Sequence, residues 1–108
     1  MASKAHNRLI QDILETCQAF GHYAFKIQVG AFQRENGFYR FGIRGQADVL
    51  CLIRTAHNFI PLWLEAKTGS GRQSEFQKSF QADVERRGHQ YVVCRDSREL
   101  DVLFAKCQ

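Results

Sequence analysis

From Asn7 to Phe20 the apolar residues Leu9, Ile10, Ile13, Leu14, Cys17 and Phe20 recur at the spacing of one helix face. Gly21 closes that pattern, as glycine does just past a helix C-terminus. Tyr23, Phe25, Ile27 and Val29 then alternate with Ala24, Lys26 and Gln28, which predicts a half-buried strand with its larger apolar residues on one face. Asn36-Gly37 is a turn signal. The stretch FYRFGIRG after it fits a strand or a loop equally well. ADVLCLI (47–53) and IPLWLEA (60–66) are short apolar runs, as expected of central strands covered on both faces. The polar connection RTAHNF between them suits an antiparallel hairpin.

Ser74 to Arg87 reads as a helix. Ser74-Glu75-Phe76-Gln77 has the form of a capping box, Phe76, Phe80 and Val84 give the apolar spacing, and Gly88 closes it. HQYVVC (89–94) predicts another strand. Asp96-Ser97-Arg98-Glu99 offers a second capping box, and Leu100, Leu103 and Phe104 mark the inner face of a last helix. The order is a helix, a strand, an uncertain strand, a hairpin, a helix, a strand and a helix. It predicts one mixed α/β layer structure, a single domain over residues 1–108.

Composition adds limits. Apolar residues make up 44% of the chain and charged ones 24%, which is globular rather than disordered. No apolar run nears the roughly 20 residues of a membrane span. The first residues, MASKAHNRLIQDI, lack the apolar core of a secretory signal, so an intracellular, cytoplasmic protein is expected. Cys17, Cys51 and Cys94 fall in apolar-patterned segments and read as buried small hydrophobes in a reducing compartment. The histidines His6, His22, His57 and His89 are scattered and form no metal-ligating pair spacing. The net charge of +4 permits a polyanionic partner without demanding one. Its distribution is more informative. Arg34, Arg40 and Arg44 are interleaved with Phe38, Tyr39 and Phe41, and Lys67, Arg72 and Lys78 follow the second apolar strand. Such a surface is able to track a phosphate backbone.

The chemistry centres on the hairpin. If Ile53 pairs with Ile60, Asp48 faces Glu65, and opposed residues share a face with Cβ atoms about 5 Å apart. Lys67, two residues beyond Glu65, projects from that face too. Two close carboxylates repel, and burial raises the penalty. A hard divalent cation resolves both difficulties, with the Ala66 carbonyl as a third oxygen. Lys67 would then polarise an attacking water or meet charge developing on a phosphate. An Asp-Lys or Glu-Lys ion pair at a strand end fits these three residues alone as well.

Taken together, GIRGQADVLCLI, IPLWLEAKTGSGRQSEFQ and GHQYVVCRDSREL resemble the PD-(D/E)XK nuclease superfamily, and within it the VRR-NUC domains of small stand-alone phage and bacterial type. The resemblance runs from about residue 9 to 103 and is most specific between 42 and 94. It implies a central mixed sheet flanked by helices, an α-β-β-β-α-β-like core with a C-terminal helix. It implies Asp48 and Glu65 as metal ligands, with the Ala66 carbonyl, and Lys67 as the catalytic lysine. Gln77 matches the glutamine at the start of the following helix that belongs to the family's active-site motif. It also has a full structural explanation as the partner of Ser74. Glu15 matches a first-helix acid that many members place near the metal, and it fits an ordinary solvent-facing acid as well. Trp63 reads as core. The proline of the superfamily's usual "PD" is replaced by Ala47, which costs no ligand.

The implied activity is Mg²⁺- or Mn²⁺-dependent hydrolysis of DNA phosphodiesters, with no small-molecule cofactor. The implied assembly is a homodimer, suited to branched DNA such as a four-way (Holliday) junction, in a bacterium or a phage-infected cell. Arg40, Arg44, Arg72 and Lys78 are the expected nucleic-acid contacts. A flap, single-strand or general nuclease, and a non-catalytic DNA-binding module of the same fold, are the alternatives.

Overall fold

A computed structural model of the chain describes residues 3–28 and 30–106, with the backbone alone for 30–34 and 38–41. Helix α1 (Lys4–Ala19) leads into strand β1 (Tyr23–Lys26) and a hairpin of β2 (Gly30–Arg34) and β3 (Gly37–Phe41). Strands β4 (Val49–Arg54) and β5 (Phe59–Ala66) follow, then α2 (Glu75–Arg86), β6 (Gln90–Cys94) and α3 (Arg98–Lys106). The uncertain stretch after Asn36-Gly37 is therefore strand as far as Phe41 and irregular beyond it.

The main sheet has the order β1-β4-β5-β6. β1 and β5 both run antiparallel to β4, whereas β6 is parallel to β5 and is reached through α2. The β2–β3 hairpin forms a separate two-stranded sheet. The fold is thus α/β, a mixed sheet flanked by helices. The expected register holds, with Ile53 opposite Ile60 and Val49 opposite Leu64.

That register divides the side chains between two layers. On one face Val49, Cys51, Ile53, Leu62, Leu64 and Cys94 pack against Leu9, Ile10, Ile13 and Cys17 of α1 and Leu100 and Phe104 of α3. On the other, Trp63, Tyr91 and Val93 meet Phe80 and Val84 of α2 together with Ala47. Cys17, Cys51 and Cys94 are free thiols within the first layer, and burial raises the Cys94 pKa to about 11. Trp63 is core, edge-on to Phe80.

Two expectations change. α1 begins three residues earlier than its apolar pattern, because the Ser3 side chain caps it by accepting from the His6 backbone N–H. β1 turns its other face inward. Ala24, opposite Cys51, packs on the core, while Tyr23 and Phe25 are 71% and 40% exposed. Tyr23 and Phe25 lie on the face that α2 covers only near β6, and a small residue beneath α1 lets the helix approach the edge strand. The predicted continuation at Val29 lies outside the described residues.

Candidate active site at the end of strand β5

Glu65 is the one buried charged residue among those described, 2% exposed in the last turn of the β5 ladder. It lies on the α2 face, beside Val93 of β6. Asp48 immediately precedes β4, and its Oδ2 accepts a hydrogen bond from the Ala66 backbone N–H at 2.8 Å. The carboxylate thus takes the ladder position that the strand itself leaves open, which fixes it beside Glu65. Lys67 Nζ stands 3.9 Å from Glu65 Oε2, and its backbone N–H donates to the Cys94 carbonyl.

Gln77 joins them from α2. Its Nε2 donates to Glu65 Oε2 at 3.1 Å, while its Oε1 accepts from the Ser74 N–H at 2.8 Å. The capping role and the contact with the acid are both present, made by opposite ends of one amide. The α2 N-terminus is itself set against the segment that leads to Asp48. Gly45 has a φ of +80°, and a Cβ there would run into the Phe76 carbonyl group. Arg44 lies over the Phe76 ring, 4.3 Å from its centroid. Phe76, part of the apolar spacing of α2, is nevertheless 50% exposed.

Electrostatics follow from the crowding. Burial pushes the Glu65 pKa from an ordinary 4.5 up to about 8, and the Asp48 charge adds to the rise; Lys67 and the Tyr91 hydroxyl oppose it. Glu65 Oε1 is buried with no hydrogen-bond partner. A buried carboxylate oxygen without a donor is costly, and a divalent cation would satisfy it. Asp48, Glu65 and the Ala66 carbonyl are hard oxygen donors of the type that Mg²⁺ or Mn²⁺ takes. Among the described residues no three His, Cys, Asp or Glu side chains form a metal-ligating group, so this set relies on a backbone oxygen.

The structure does not bring Glu15 to this cluster. Glu15 is exposed and accepts from Gln11 Nε2. It is nine residues after His6, the α1 residue that does reach the site, so it lies half a turn around the helix and roughly 13 Å further along. His6 is the residue that sequence reasoning passed over. Its Nε2 is 3.0 Å from the Ala66 carbonyl and 3.6 Å from Asp48 Oδ2. The signal is tertiary, across sixty positions, and no local spacing carries it.

Arg72 and Lys78 line one cavity of about 480 Å³ with Gln73, Val93, Arg95 and Glu99. Arg95, also absent from the expected contacts, pins the loop after Lys67 by donating to the Gly69 and Gly71 carbonyls. The Arg40 side chain lies outside the described residues. No helix among the described residues is long and apolar enough to cross a membrane.

No protein-family model and no curated protein matches the sequence. A solved structure of a VRR_NUC domain does match the fold, with a TM-score of 0.68 at 15% identity, over 95% of this chain and 97% of that one. The likeness runs nearly end to end in both chains, and the chain has the fold of a VRR_NUC domain.

Proposed function

We propose that this protein is a divalent-metal-dependent DNA endonuclease of the VRR-NUC type. The observation that carries the reading is Glu65: a buried carboxylate with one orphaned oxygen, held against Asp48, Lys67 and Gln77 at a strand end. A purely structural acid has no use for an unpaired buried oxygen. Asp48, Glu65 and the Ala66 carbonyl would hold Mg²⁺ or Mn²⁺, which supplies Lewis-acid stabilisation of charge on a phosphodiester. Lys67 would polarise the attacking water and neutralise charge on the scissile phosphate. Gln77 fixes the orientation of Glu65. Arg44, exposed beside the α2 N-terminus, and Arg72 and Lys78 beyond it, receive the phosphates on either side of the cut. Arg40 on β3 belongs with them.

The substrate is branched DNA, a four-way junction above all, cut by a homodimer whose two sites are related by a two-fold axis. Backbone and shape are read rather than sequence. The test is a panel of labelled four-way junction, flap, duplex and single strand, given Mg²⁺, Mn²⁺ or chelator. Wild type cuts only with a metal ion, paired symmetrically on the junction. Lys67→Ala loses cutting by a factor of about 10²–10³ and keeps DNA binding. If wild type cuts no substrate with either ion yet binds DNA as the variant does, the protein is a binding module.

A further inference from the structure

We infer that His6 is a direct ligand of the divalent ion, a nitrogen donor brought from α1 to the oxygen set of the strands. This rests on the metal site proposed above. Two ligands at about 2.1 Å from one octahedral ion, at right angles to each other, stand about 3.0 Å apart. His6 Nε2 and the Ala66 carbonyl oxygen are 3.0 Å apart, and His6 Nε2 and Asp48 Oδ2 are 3.6 Å apart. The first separation is that of adjacent ligands on one ion and the second is somewhat longer, so Nε2 stands within reach of an ion held by the Ala66 carbonyl and Asp48.

The position of His6 is fixed by the helix start. Ser3 caps α1 by accepting from the His6 N–H at 3.0 Å, and Asn7 donates to the Ser3 carbonyl, so the first turn is tied down. Leu9 and Ile10, just after it, are buried in the sheet layer. The helix cannot roll without losing them. Without an ion, Nε2 must carry the proton, because a carbonyl only accepts. The other nitrogen, Nδ1, is buried with no partner. Binding an ion through Nε2 would use its lone pair, which leaves the ring proton on Nδ1.

A nitrogen ligand changes which ion is favoured. Imidazole suits the later transition-metal ions best, and Mn²⁺, at the start of that series, accepts it more readily than Mg²⁺, which takes oxygen ligands. The site is therefore biased toward Mn²⁺ over Mg²⁺, more than carboxylates and a carbonyl alone would make it.

The probe is Mn²⁺ alone, bound to the full chain without DNA and followed by calorimetry and by pulsed electron spin-echo spectroscopy. Wild-type protein should bind Mn²⁺ with nitrogen modulation in the echo. The other described histidines stand elsewhere: His22 receives the N–H of Arg54 at the far end of β4, His89 that of Trp63, and His57 lines a cavity with Arg54 and Phe59. His6→Ala and His6→Gln should each remove the modulation and weaken Mn²⁺ at least tenfold, while weakening Mg²⁺ less. His6→Gln keeps an N–H for the Ala66 carbonyl and so controls for helix docking. If wild type binds Mn²⁺ with no nitrogen modulation, or His6→Gln binds as wild type does while Asp48→Asn does not, His6 is no ligand and the oxygen site stands without it. If wild type and Asp48→Asn bind Mn²⁺ equally, the metal site itself is wrong and this inference falls with it.

Discussion

Gln77 holds Glu65 with one end of its amide and Ser74 with the other, at 3.1 and 2.8 Å. The start of α2 and the buried acid of β5 are thereby one unit, and a change at residue 77 should split into two readable effects. Gln77→Ala removes the cap as well as the contact. It should lower stability by about 1 kcal/mol in urea unfolding and reduce DNA cleavage. Gln77→Glu retains an oxygen for the Ser74 N–H but sets a third carboxylate beside Glu65. It should keep most of the helix stability in metal-free buffer at low pH, lose activity at neutral pH, and need more divalent ion. Equal activity in Gln77→Ala and wild type would leave Gln77 a cap and nothing more.

Glu65 should make the metal-free protein less stable as the pH rises. Its folded pKa, about 8, lies above the ordinary 4.5. Between those values the native state holds a proton that the unfolded state has released, so the stability present below pH 4.5 is lost progressively up to about pH 8. The groups facing Glu65 are Asp48, Lys67, Gln77 and the Tyr91 hydroxyl. His22 works in the opposite sense, because burial and then the Arg54 charge lower its pKa, so stability is gained as it loses its proton. The informative quantity is the difference between wild type and Glu65→Gln in chelator, measured as urea midpoints from pH 4.5 to 8.5. The variant should gain on wild type steadily across the window, and Mn²⁺ should restore the wild type alone. A flat difference would mean that Glu65 ionises as a solvated acid does.

Glu15 should be dispensable. It faces away from the cluster and its partner is Gln11, an exposed pairing within one helix, of the kind that contributes a few tenths of a kcal/mol, ~0.3. Glu15→Ala should therefore cut DNA within about twofold of wild type and melt within a degree or two. A loss of cutting as large as that of Lys67→Ala would restore the first-helix acid to the site.

How much of this was legible in the sequence divides along local and non-local lines. The hairpin register was readable because apolar runs on both sides of RTAHNF leave one pairing that keeps Val49, Cys51, Leu62 and Leu64 together. The cluster of Asp48, Glu65 and Lys67 followed from it, and Gln77 from the S-x-x-Q cap. The facing of β1 was not readable, because alternation shows that two faces differ without showing which one a helix covers. Ala24 is half-buried against the core that α1 covers, and nothing between Tyr23 and Val29 encodes that. His6 and Arg95 were missed for the same reason. Each acts on residues distant in sequence, and neither has a spacing that marks it.

The loop before Asp48 should prove as sensitive as the acids themselves. Gly45 adopts a left-handed φ of +80° and lies against the Phe76 carbonyl, with no room for a Cβ. Gln46 ties the turn from the inside, its side chain accepting the Ile43 N–H and its backbone N–H donating to the Ile43 carbonyl. A methyl group at residue 45 must therefore push either the loop or the start of α2 away. The backbone strain alone costs about 1–3 kcal/mol, and the displaced elements carry Asp48 on one side and Gln77 on the other. Gly45→Ala should fold with a melting temperature several degrees lower and bind Mn²⁺ more weakly, although no ligand has been touched. Gly69→Ala serves as the comparison, since its φ is also positive, at +56°, but its Cβ would meet nothing within 4 Å. If the two variants lose stability equally and both keep wild-type affinity for Mn²⁺, then loop 43–46 does not position Asp48 through its contact with α2.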